Sequence, residues 1–454
     1  MRVAVVGTGY VGLVTGTCLA EVGNDVTCVD VLPERVQAVN EARPTFFEPG
    51  LAEMLASNIR KGRIRATSDV AAAVASSDVT FLAVGTPCRG SEIDLSFLSA
   101  AAEQVGAGLQ RCADYHVVTV KSTVVPSTTD TLVRDILERA SGLRAGDFGL
   151  CMNPEFLREG SAVQDFMEAD RIVIGSWDER SAKRLGEIYH PFDCPKIVTS
   201  LRNAELTKYA SNALLATMVS FSNEFARLCE TTPGTDVETV LNALHLDRRL
   251  SPMHNGQRVK TGILTYLQAG CGYGGSCLPK DVSALRDFAE KQGCATKLLD
   301  AVASVNNART NQIVELAEAA IGDLRGATVA VLGLAFKPGT DDLRDSAALT
   351  VCNLLVHRGA VVHAFDPMVS TLSGRTGIKT FASAEQAVAK ADAVIVATAW
   401  PEFAKLDWLA LCAAMRQPVI VDGRNALRGL ELPPQAVYVP IGKHFELKGI
   451  AVGR

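Results

Sequence analysis

The chain has 454 residues, of which 48% are hydrophobic and 21% charged; this composition excludes wholesale disorder and predicts two or three domains of roughly 150 residues. Its 45 Lys and Arg residues against 50 Asp and Glu residues give a net charge of −5. The chain therefore lacks the surplus of basic residues that would indicate nucleic acid or a membrane as a partner. Twelve cysteines without a Cys-x-x-Cys pair predict neither a metal site nor a disulfide scaffold. We expect free thiols in a reducing compartment, the cytoplasm.

Segments of β-branched residues alternate with Ala-rich helical patterns from the first residue. The opening strand has no signal-peptide apolar region before it, and no apolar run is long enough for a transmembrane helix. This β-α-β rhythm predicts an open parallel sheet with helices on both faces. The predicted strands are 3–6, 25–30, 79–84, 117–121, 149–152 and 171–174, and the clearest helices are 70–75 and 98–109.

Residues 203–230 contain no Gly or Pro and predict one long helix, after which the β-α-β rhythm returns at Thr328. The predicted fold class is therefore α/β, with two Rossmann-like parallel-sheet domains joined by a long central helix and a helical core. The expected domains are 1–200, 201–310 and 311–454. Further helices are predicted at 236–244, 281–291 and 298–320, and further strands at 328–332, 361–365, 393–397 and 418–421.

A glycine fingerprint follows the first strand. Gly7, Gly9 and Gly12 form a GxGxxG at a helix start, where the first allows a tight turn, the second lets the backbone approach a pyrophosphate, and the third permits close packing. Asp30 ends the second strand, where a carboxylate accepts hydrogen bonds from a ribose and repels a 2′-phosphate. The pattern favours NAD over NADP, although Arg35 points the other way; the alternative is a turn that binds no phosphate.

The second α/β unit lacks this fingerprint, since Gly333 stands where three glycines are needed. Ligands of such sheets bind at the carboxyl ends of the strands, and Lys337 lies just beyond one of them. A second nucleotide-type ligand at Lys337 and a solvated loop lysine are both compatible with this position.

Residues 270–281, GCGYGGSCLPKD, are the most unusual stretch of the chain. Four glycines in six residues cost backbone entropy that packing alone would not require, so the loop is expected to approach a ligand. Cys277 follows at a predicted helix start beside Lys280, which should lower the pKa of the thiol and make it a nucleophile. Asp281 lies one helical turn on, whereas Cys271 inside the glycine run has no helix end to activate it.

A thiolate beside NAD indicates oxidation of an aldehyde through a thiohemiacetal and a thioester. Such chemistry needs an oxyanion stabiliser, and Lys208 and Asn212 share one face of the long helix at i, i+4, although a solvated face explains them as well. Two carboxylates, Glu155 and Glu159, follow one predicted strand, and Thr123 follows another. Capping and turn formation are the alternative for these positions.

Together these segments resemble the UDP-glucose/GDP-mannose dehydrogenase family of nucleotide-sugar 6-dehydrogenases, over essentially the whole chain. The resemblance rests on eight motifs in order: GTGYVG at 7–12, EPGL at 48–51, GTP at 85–87, KST at 121–123, NPEFLREG at 153–160, ELTKYASNALLA at 205–216, GGSCLPKD at 274–281 and GLAFKPGTDDLRDS at 333–346.

The family implies an NAD-dependent, two-step, four-electron oxidation of a sugar C6 hydroxyl to a carboxylate, with an N-terminal NAD domain, a helical dimerisation core and a C-terminal nucleotide-sugar domain. A homodimer or higher oligomer is implied. By motif match the catalytic residues are Cys277 as nucleophile, Lys208 and Asn212 as oxyanion stabilisers, Asp281 for orienting or activating water, and Thr123 and Glu155 for the catalytic water and proton transfer. The implied NAD contacts are Gly7, Gly9, Tyr10, Val11, Gly12, Asp30, Arg35, Thr86, Thr123, Glu159, Lys280 and Arg344. The implied substrate contacts are Glu155, Phe156, Leu157, Arg158, Glu159, Lys208, Asn212, Tyr266, Gly270, Gly274 and Lys337.

Departures from the family pattern concern the substrate. Residues 418–425, PVIVDGRN, favour the UDP-glucose branch, whereas Val125-Pro126 and Leu278 favour the GDP-mannose branch. We weigh the C-terminal domain more, because in the family it contacts the nucleotide, and expect UDP-glucose ahead of GDP-mannose or another nucleotide sugar. In the family an arginine reaches the partner subunit's sugar, and Arg249 and Arg258 compete for that position.

Two other classes remain open. A single-step β-hydroxyacid dehydrogenase shares the N-terminal domain and the long helix, but it leaves Cys277 and the C-terminal unit unexplained. An NAD-sensing or scaffold protein would bind without turnover, which the intact Cys, Lys and Asp set disfavours.

Overall fold

The computed structural model describes residues 1–372 and 374–445. The chain divides into two compact units. The first comprises Met1–Ser211 and Asp287–Gln292, and the second comprises Asn212–Arg286 and the chain from Gly293 onward. Among the described residues, no helix is both long and apolar enough to cross a bilayer. No cluster of three or more His, Cys, Asp or Glu side chains in the described part of the chain could hold a metal ion.

The first unit is built on an eight-stranded sheet with the order β10-β9-β8-β7-β4-β1-β2-β3. Its strands are parallel except for β8 and β9, which pair antiparallel. A short hairpin of β5 and β6 lies outside the sheet. The strands are β1 Arg2–Val6, β2 Asp25–Val29, β3 Ile64–Thr67, β4 Val79–Leu82, β5 Cys88–Arg89, β6 Glu92–Ile93, β7 Val117–Val120, β8 Gly149–Met152, β9 Ile172–Ser176 and β10 Lys196–Ser200.

Helices cover both faces of this sheet. Successive residues of a strand point to opposite faces, so Val3 and Val5 pack into one apolar layer and Ala4 and Val6 into the other. Aspartates begin two of the helices, since Asp69 and Asp178 accept from backbone N–H groups of α4 and α8. The helices are α1 Tyr10–Glu21, α2 Pro33–Asn40, α3 Leu51–Arg60, α4 Val70–Ala75, α5 Ser96–Leu109, a π-helical turn Thr128–Val133, α6 Arg134–Ser141, α7 Ala162–Met167 and α8 Glu179–Ile188. The long α9 Leu201–Thr231 begins in the first unit, and its residues from Asn212 onward belong to the second.

The second unit holds a six-stranded parallel sheet with the order β15-β14-β13-β16-β17-β18. Its strands are β13 Thr328–Leu332, β14 Val361–Phe365, β15 Ile378–Thr380, β16 Ala393–Val396, β17 Val419–Asp422 and β18 Val437–Pro440, with a hairpin of β11 Met253–His254 and β12 Gln257–Arg258 before them. The helices are α10 Val237–His245, α11 Leu278–Lys291, α12 Lys297–Ile321, α13 Ala347–His357, α14 Ala384–Val388 and α15 Trp408–Ala414, with 3₁₀ turns at Gly262–Tyr266 and Phe403–Lys405.

The predicted α/β class, its two parallel-sheet units and its long helix are confirmed by these elements. The antiparallel pair of β8 and β9 was not predicted, because buried strands of either direction have the same apolar pattern. The strands β3, β10, β15 and β18 also escaped prediction. They are short and partly exposed, so their hydrophobic signal is weak.

Candidate active site

The turn between β1 and α1 has open space at its second glycine. A Cβ on Gly7 would lie 2.7 Å from the Ala83 oxygen and one on Gly12 only 1.9 Å from the Gly7 oxygen, so packing inside the protein requires both glycines. A Cβ on Gly9 would meet nothing within 4 Å. Gly9 is also the N-cap residue of α1. The space at Gly9 therefore fits a pyrophosphate bound at the helix start.

Asp30 stands at the end of β2, beside this turn. Its Oδ2 accepts from the backbone N–H of Thr8 at 2.9 Å and from the Thr8 hydroxyl at 2.6 Å, and its Oδ1 accepts from the N–H of Leu32 at 3.1 Å. Burial alone would raise the pKa of Asp30, but these donors and the Arg35 guanidinium, 3.5 Å away, lower it. The carboxylate is thus ionised, and Arg35 pairs with it. An ionised carboxylate here fits the unmodified ribose of NAD.

Glu48 is a buried carboxylate to which the sequence argument gave no role. It accepts a short hydrogen bond from the Tyr10 hydroxyl at the start of α1. Its two oxygens also accept from the backbone N–H of Gly160 at 2.8 Å and of Ala162 at 2.7 Å. Glu48 therefore ties the glycine fingerprint to the NPEFLREG segment. The EPGL motif marked its position, but partners more than a hundred residues away cannot be read from sequence.

Thr86 and Thr123 follow the neighbouring parallel strands β4 and β7. The Thr86 hydroxyl donates to the Thr123 carbonyl at 2.8 Å. The Ser122 hydroxyl donates to the Val84 carbonyl at 2.6 Å. The GTP and KST segments are thus held together at one edge of the sheet, as expected for strand ends in a parallel sheet.

Glu155 and Lys208 form a buried ion pair. The Lys208 Nζ lies 2.9 Å from Glu155 Oε1, and the two side chains are 4% and 7% exposed. Glu155 Oε2 accepts from the backbone N–H of Leu157 at 2.6 Å. Burial opposes ionisation, but Lys208 and this N–H outweigh it and lower the pKa of Glu155. The solvated helix face considered for Lys208 is therefore wrong, because its charge is enclosed and paired.

Lys121, the first residue of the KST motif, is a second buried lysine beside this pair. Its ammonium donates to Asn153 Oδ1 at 2.8 Å and to the Asn153 carbonyl at 3.4 Å. The Tyr189 hydroxyl donates to the same Oδ1 at 2.5 Å, and Asn153 Nδ2 donates to the Val173 carbonyl. Sequence reasoning quoted Lys121 as part of a motif but assigned it no function.

Two cations lie close to the Phe156 ring. The Arg171 guanidinium is 4.0 Å from the ring centroid and Lys208 Nζ is 5.7 Å from it. The Arg158 guanidinium pairs with Asp165 at 2.5 Å, and its backbone N–H bonds the same carboxylate. The side chain of Arg158 thus stabilises its own loop.

In the second unit, Cys277 immediately precedes α11. Its carbonyl accepts from the backbone N–H of Asp281 at 2.8 Å, which sets Asp281 one helical turn away. The buried Asp281 carboxylate accepts from Asn212 Nδ2 at 2.6 Å and from Lys280 Nζ at 2.5 Å. Cys277 itself is exposed, and its Sγ lies 3.5 Å from the Ser276 hydroxyl. The predicted combination of a helix-start thiol, an amide and a carboxylate is brought together here.

The glycines before Cys277 have a different explanation from the predicted one. A Cβ on Gly272 would lie 2.6 Å from Asn306 Oδ1, one on Gly274 2.3 Å from the Asp345 oxygen, and one on Gly275 2.8 Å from Phe336. The argument that packing alone would not require these glycines is therefore wrong. The backbone of the loop packs closely against Asn306, Asp345 and Phe336, and this packing fixes the backbone that leads to Cys277.

Further side chains clasp the same loop. The Gly270 N–H donates to Asn223 Oδ1 at 2.8 Å, and the Gly270 carbonyl accepts from Arg309 Nε at 2.9 Å. Arg309 is fully buried and pairs with Glu230 at 3.0 Å. Cys271 is also fully buried, donates to the Gly423 carbonyl at 3.2 Å, and has a pKa raised by burial. All twelve cysteines are free thiols; besides Cys277, only Cys294 is exposed.

The carboxyl end of β14 carries Asp366, the positional counterpart of Asp30. Its Oδ2 accepts from the N–H groups of Leu334 and Ala335 and from the indole of Trp400, and its Oδ1 from those of Met368 and Val369. Because five donors of the protein itself bond Asp366, its carboxylate stabilises the turn and is not available to bind a ribose. This difference agrees with the missing glycine fingerprint of this unit.

The other predicted substrate and cofactor residues of the second unit are spread over its loops. Lys337 follows β13, with Nζ 5.6 Å from the Phe336 ring centroid, and the Arg344 guanidinium pairs with Asp342 at 2.7 Å. Tyr266 ends a 3₁₀ turn. Of the two competing arginines, Arg249 pairs with Asp247, and Arg258 Nη1 donates to the carbonyls of Leu246 and Ser251.

Three family models match the chain. They describe the UDP-glucose/GDP-mannose dehydrogenase family: its NAD binding domain over residues 1–193, its central domain over 202–308 and its UDP binding domain over 330–429. The UDP-glucose 6-dehydrogenase TuaD of Bacillus subtilis is 40% identical over 443 residues, which cover 96% of this chain and 92% of that protein.

Solved structures agree. A UDP-glucose dehydrogenase from the hyperthermophilic archaeon Pyrobaculum islandicum superposes with a TM-score of 0.87 at 39% identity and covers 97% of both chains. A UDP-D-ManNAc dehydrogenase from Pyrococcus horikoshii superposes with a TM-score of 0.83 at 29% identity, over 98% of this chain and 99% of that one. With the NAD-type turn and the helix-start cysteine described above, these matches show that the chain belongs to the UDP-glucose/GDP-mannose dehydrogenase family of NAD-dependent nucleotide-sugar dehydrogenases.

Proposed function

We propose that the protein oxidises C6 of UDP-glucose to the carboxylate of UDP-glucuronate in two steps, through a thiohemiacetal and a thioester on Cys277. The observation that carries this proposal is the start of α11, where exposed Cys277 precedes a helix and Asp281 is held by Asn212 and Lys280. One sugar nucleotide, two NAD⁺ and one water give one carboxylate, two NADH and three protons.

In this mechanism the side chains of the chain hold protons and developing charge. The helix N-terminus favours the Cys277 thiolate, which adds to the C6 aldehyde carbon. The Lys208 ammonium, kept charged by Glu155, stabilises the oxyanions, and Asn212 lies one turn farther along the same helix. Asp281 orients the water that cleaves the thioester, with Thr123 and Glu155 assisting proton transfer. NAD, when bound, accepts the hydride removed in each oxidation.

The cofactor fits the glycine turn, where Gly9 leaves space for the pyrophosphate and Asp30 presents an ionised carboxylate for the ribose. We assign Gly7, Gly12, Tyr10, Val11, Arg35, Thr86, Thr123, Glu159, Lys280 and Arg344 to the surroundings of NAD on the family resemblance. Their contacts with the cofactor stay predictions.

UDP-glucose is preferred because the relatives at about 40% identity carry that name, and because residues 330–429 match a UDP binding domain. The PVIVDGRN segment supports the UDP-glucose branch less strongly than the sequence motif alone indicates. Its Asp422 accepts from the N–H groups of Ala426 and Leu427 and from the Tyr438 hydroxyl, so it stabilises a turn. We assign Lys337 to the nucleotide, and Tyr266, Gly270, Gly274 and the segment 155–159 to the sugar nucleotide.

The test is NADH formation from the purified chain with UDP-glucose, GDP-mannose and UDP-N-acetylmannosamine. Two NADH per UDP-glucose and release of UDP-glucuronate are expected; turnover of GDP-mannose alone would reject the substrate. Cys277→Ser should lose acid formation, whereas Cys294→Ser, the matched change at another exposed thiol, should keep it. Full acid formation by Cys277→Ser would reject the covalent mechanism and favour a single-step dehydrogenase.

We also propose a homodimer, or a higher assembly of such dimers, formed through α9. The exposed large apolar residues of α9 recur at a spacing of seven or eight and form a stripe: Leu206, Leu214, Phe221 and Leu228. Sedimentation equilibrium should give a mass of at least twice the 48.2 kDa of one chain. The division into domains at 200 and 310, and the cytoplasmic location favoured by free thiols, stay predictions.

A further inference from the structure

In the first unit, the charge of one buried carboxylate acts on two buried ammonium groups. Lys121 and Lys208 are each 3% exposed, and the oppositely charged Glu155 is 7% exposed. Glu155 pairs directly with Lys208 at 2.9 Å and acts on Lys121 through its charge. A buried lysine without its own counterion is costly, so a position that needed only packing would be better filled by an apolar side chain.

The contacts of Lys121 place it to act on this pair. Among the described residues, its ammonium donates two hydrogen bonds, both to Asn153, which precedes Glu155 by two positions. An ammonium has three donors, so one remains. Lys121, Asn153 and Glu155 also line one cavity of about 260 Å³. Lys121 thus joins the base of the NPEF segment to a space large enough for water or a small cation.

We propose that Lys121 is a positioning residue of the oxidation site: through Asn153 it anchors the NPEF segment, and through its charge it sets the ionisation of the Glu155–Lys208 pair. The inference rests on the proposed function, in which Lys208 stabilises oxyanions and Glu155 assists proton transfer. Lys121 itself acts through Asn153, Glu155 and Lys208.

The direction of the effect follows from the charges. Burial lowers the pKa of Lys121 to about 8; the Glu155 carboxylate opposes this decrease and the Lys208 ammonium adds to it. The interaction is mutual, so the charge of Lys121 lowers the pKa of Glu155 in turn. In the part of the chain that the structure describes, the other charged or titratable groups that line this cavity are Tyr189, which donates to Asn153, and Arg158, Asp165, Glu168, Asp170 and Arg171.

The first experiment measures kcat/KM against pH for wild type, Lys121→Met and Lys121→Arg. Removing the charge should move the acid limb of the profile to higher pH, because Glu155 loses a neighbouring cation. Lys121→Arg keeps a charge and should keep the limbs near their wild-type positions. Lys183→Met, at an exposed position of α8, is the control that should change nothing. A lower plateau with unmoved limbs in Lys121→Met would overturn the charge role and leave a packing residue.

The second experiment uses the cavity. Lys121→Ala extends the existing space, so ethylammonium at millimolar concentration should restore part of kcat, on the order of tenfold above the unsupplemented variant. Ethanol, which is uncharged and has the same number of non-hydrogen atoms, is the control and should restore nothing. Equal restoration by both compounds, or none by ethylammonium in a variant that still folds, counts against the proposal.

A third measurement does not depend on turnover. With 13C at lysine Cε, the Lys121 signal is assigned by its loss in Lys121→Met and titrated in wild type and Lys208→Met. An upward shift of the Lys121 pKa in Lys208→Met is expected, because a neighbouring ammonium is removed, and an unchanged pKa would overturn the coupling. If wild type oxidised no nucleotide sugar, the proposed function would fail, whereas the titration would still decide whether Lys121 is coupled to this pair.

Discussion

The glycine loop before Cys277 makes a sharp prediction at Gly274. In Gly274→Ala the new Cβ would lie 2.3 Å from the backbone oxygen of Asp345, whereas ordinary contacts begin at 3.4 Å, so one side must retreat by about 1.1 Å. The Asp345 side is held firmly. Ser346 caps α13, its hydroxyl donates to the Leu334 carbonyl at 2.6 Å, and the N–H of Gly275 bonds the Arg344 carbonyl at 3.1 Å.

The loop is therefore expected to move, and Cys277 moves with it. Overpacking of this kind costs about 1–3 kcal/mol of stability, and a displacement of about 1 Å at a reacting group costs about 100-fold in rate. We predict a kcat about 100-fold below wild type and a lower Tm, with the KM for NAD within about threefold of wild type.

Stopped-flow and steady-state NADH measurements, with thermal unfolding beside them, check this expectation. Gly186→Ala is the control, because a Cβ in this interior position of α8 meets nothing within 4 Å and should stabilise the helix by about 0.5–1 kcal/mol without altering kcat. Wild-type kcat and Tm in Gly274→Ala would show that the close approach to Asp345 does not constrain the nucleophile.

Three other predictions follow from single contacts. Gly9→Ala should keep the wild-type Tm, since the new Cβ would meet no protein atom within 4 Å. It should raise the KM for NAD about tenfold or more, because the methyl group occupies the space assigned to the pyrophosphate. An unchanged KM would contradict the cofactor assignment. Arg309→Met leaves the buried Glu230 carboxylate without this ion pair and removes the donor to the Gly270 carbonyl. Urea unfolding should therefore show a free energy of unfolding lower by about 3–5 kcal/mol, and adding Glu230→Gln should recover part of it. An unchanged urea midpoint for Arg309→Met alone would refute this expectation. Burial raises the pKa of Glu205 to about 7 from 4.5, so its favourable contribution is complete below pH 4.5 and is lost as pH rises through 7. Glu205→Gln should therefore gain stability relative to wild type, by up to about 3 kcal/mol, between pH 4.5 and pH 8; a difference that is constant across this range would disprove the shift.

Features governed by neighbouring residues could be predicted from the sequence. The GxGxxG turn and Asp30 depend on backbone geometry within one strand–turn–helix unit and on the end of the next strand. The long helix needs only the absence of Gly and Pro over its length, and it was found within two residues at its start and one at its end. Cys277 and Asp281 are one turn apart in any helix that begins after the cysteine.

Everything that depends on which segments meet was decided by the tertiary structure. Glu48 reaches Gly160 and Ala162 across more than a hundred residues, and no local pattern predicts such a bond. The role of the glycines at 270–275 was misjudged for the same reason, because their close neighbours come from distant parts of the chain. Sequence spacing favoured a solvated helix face for Lys208 over a contact with a charge. Only the fold encloses it with Glu155, and only the fold adds Lys121, because desolvation and pairing are properties of the assembled interior.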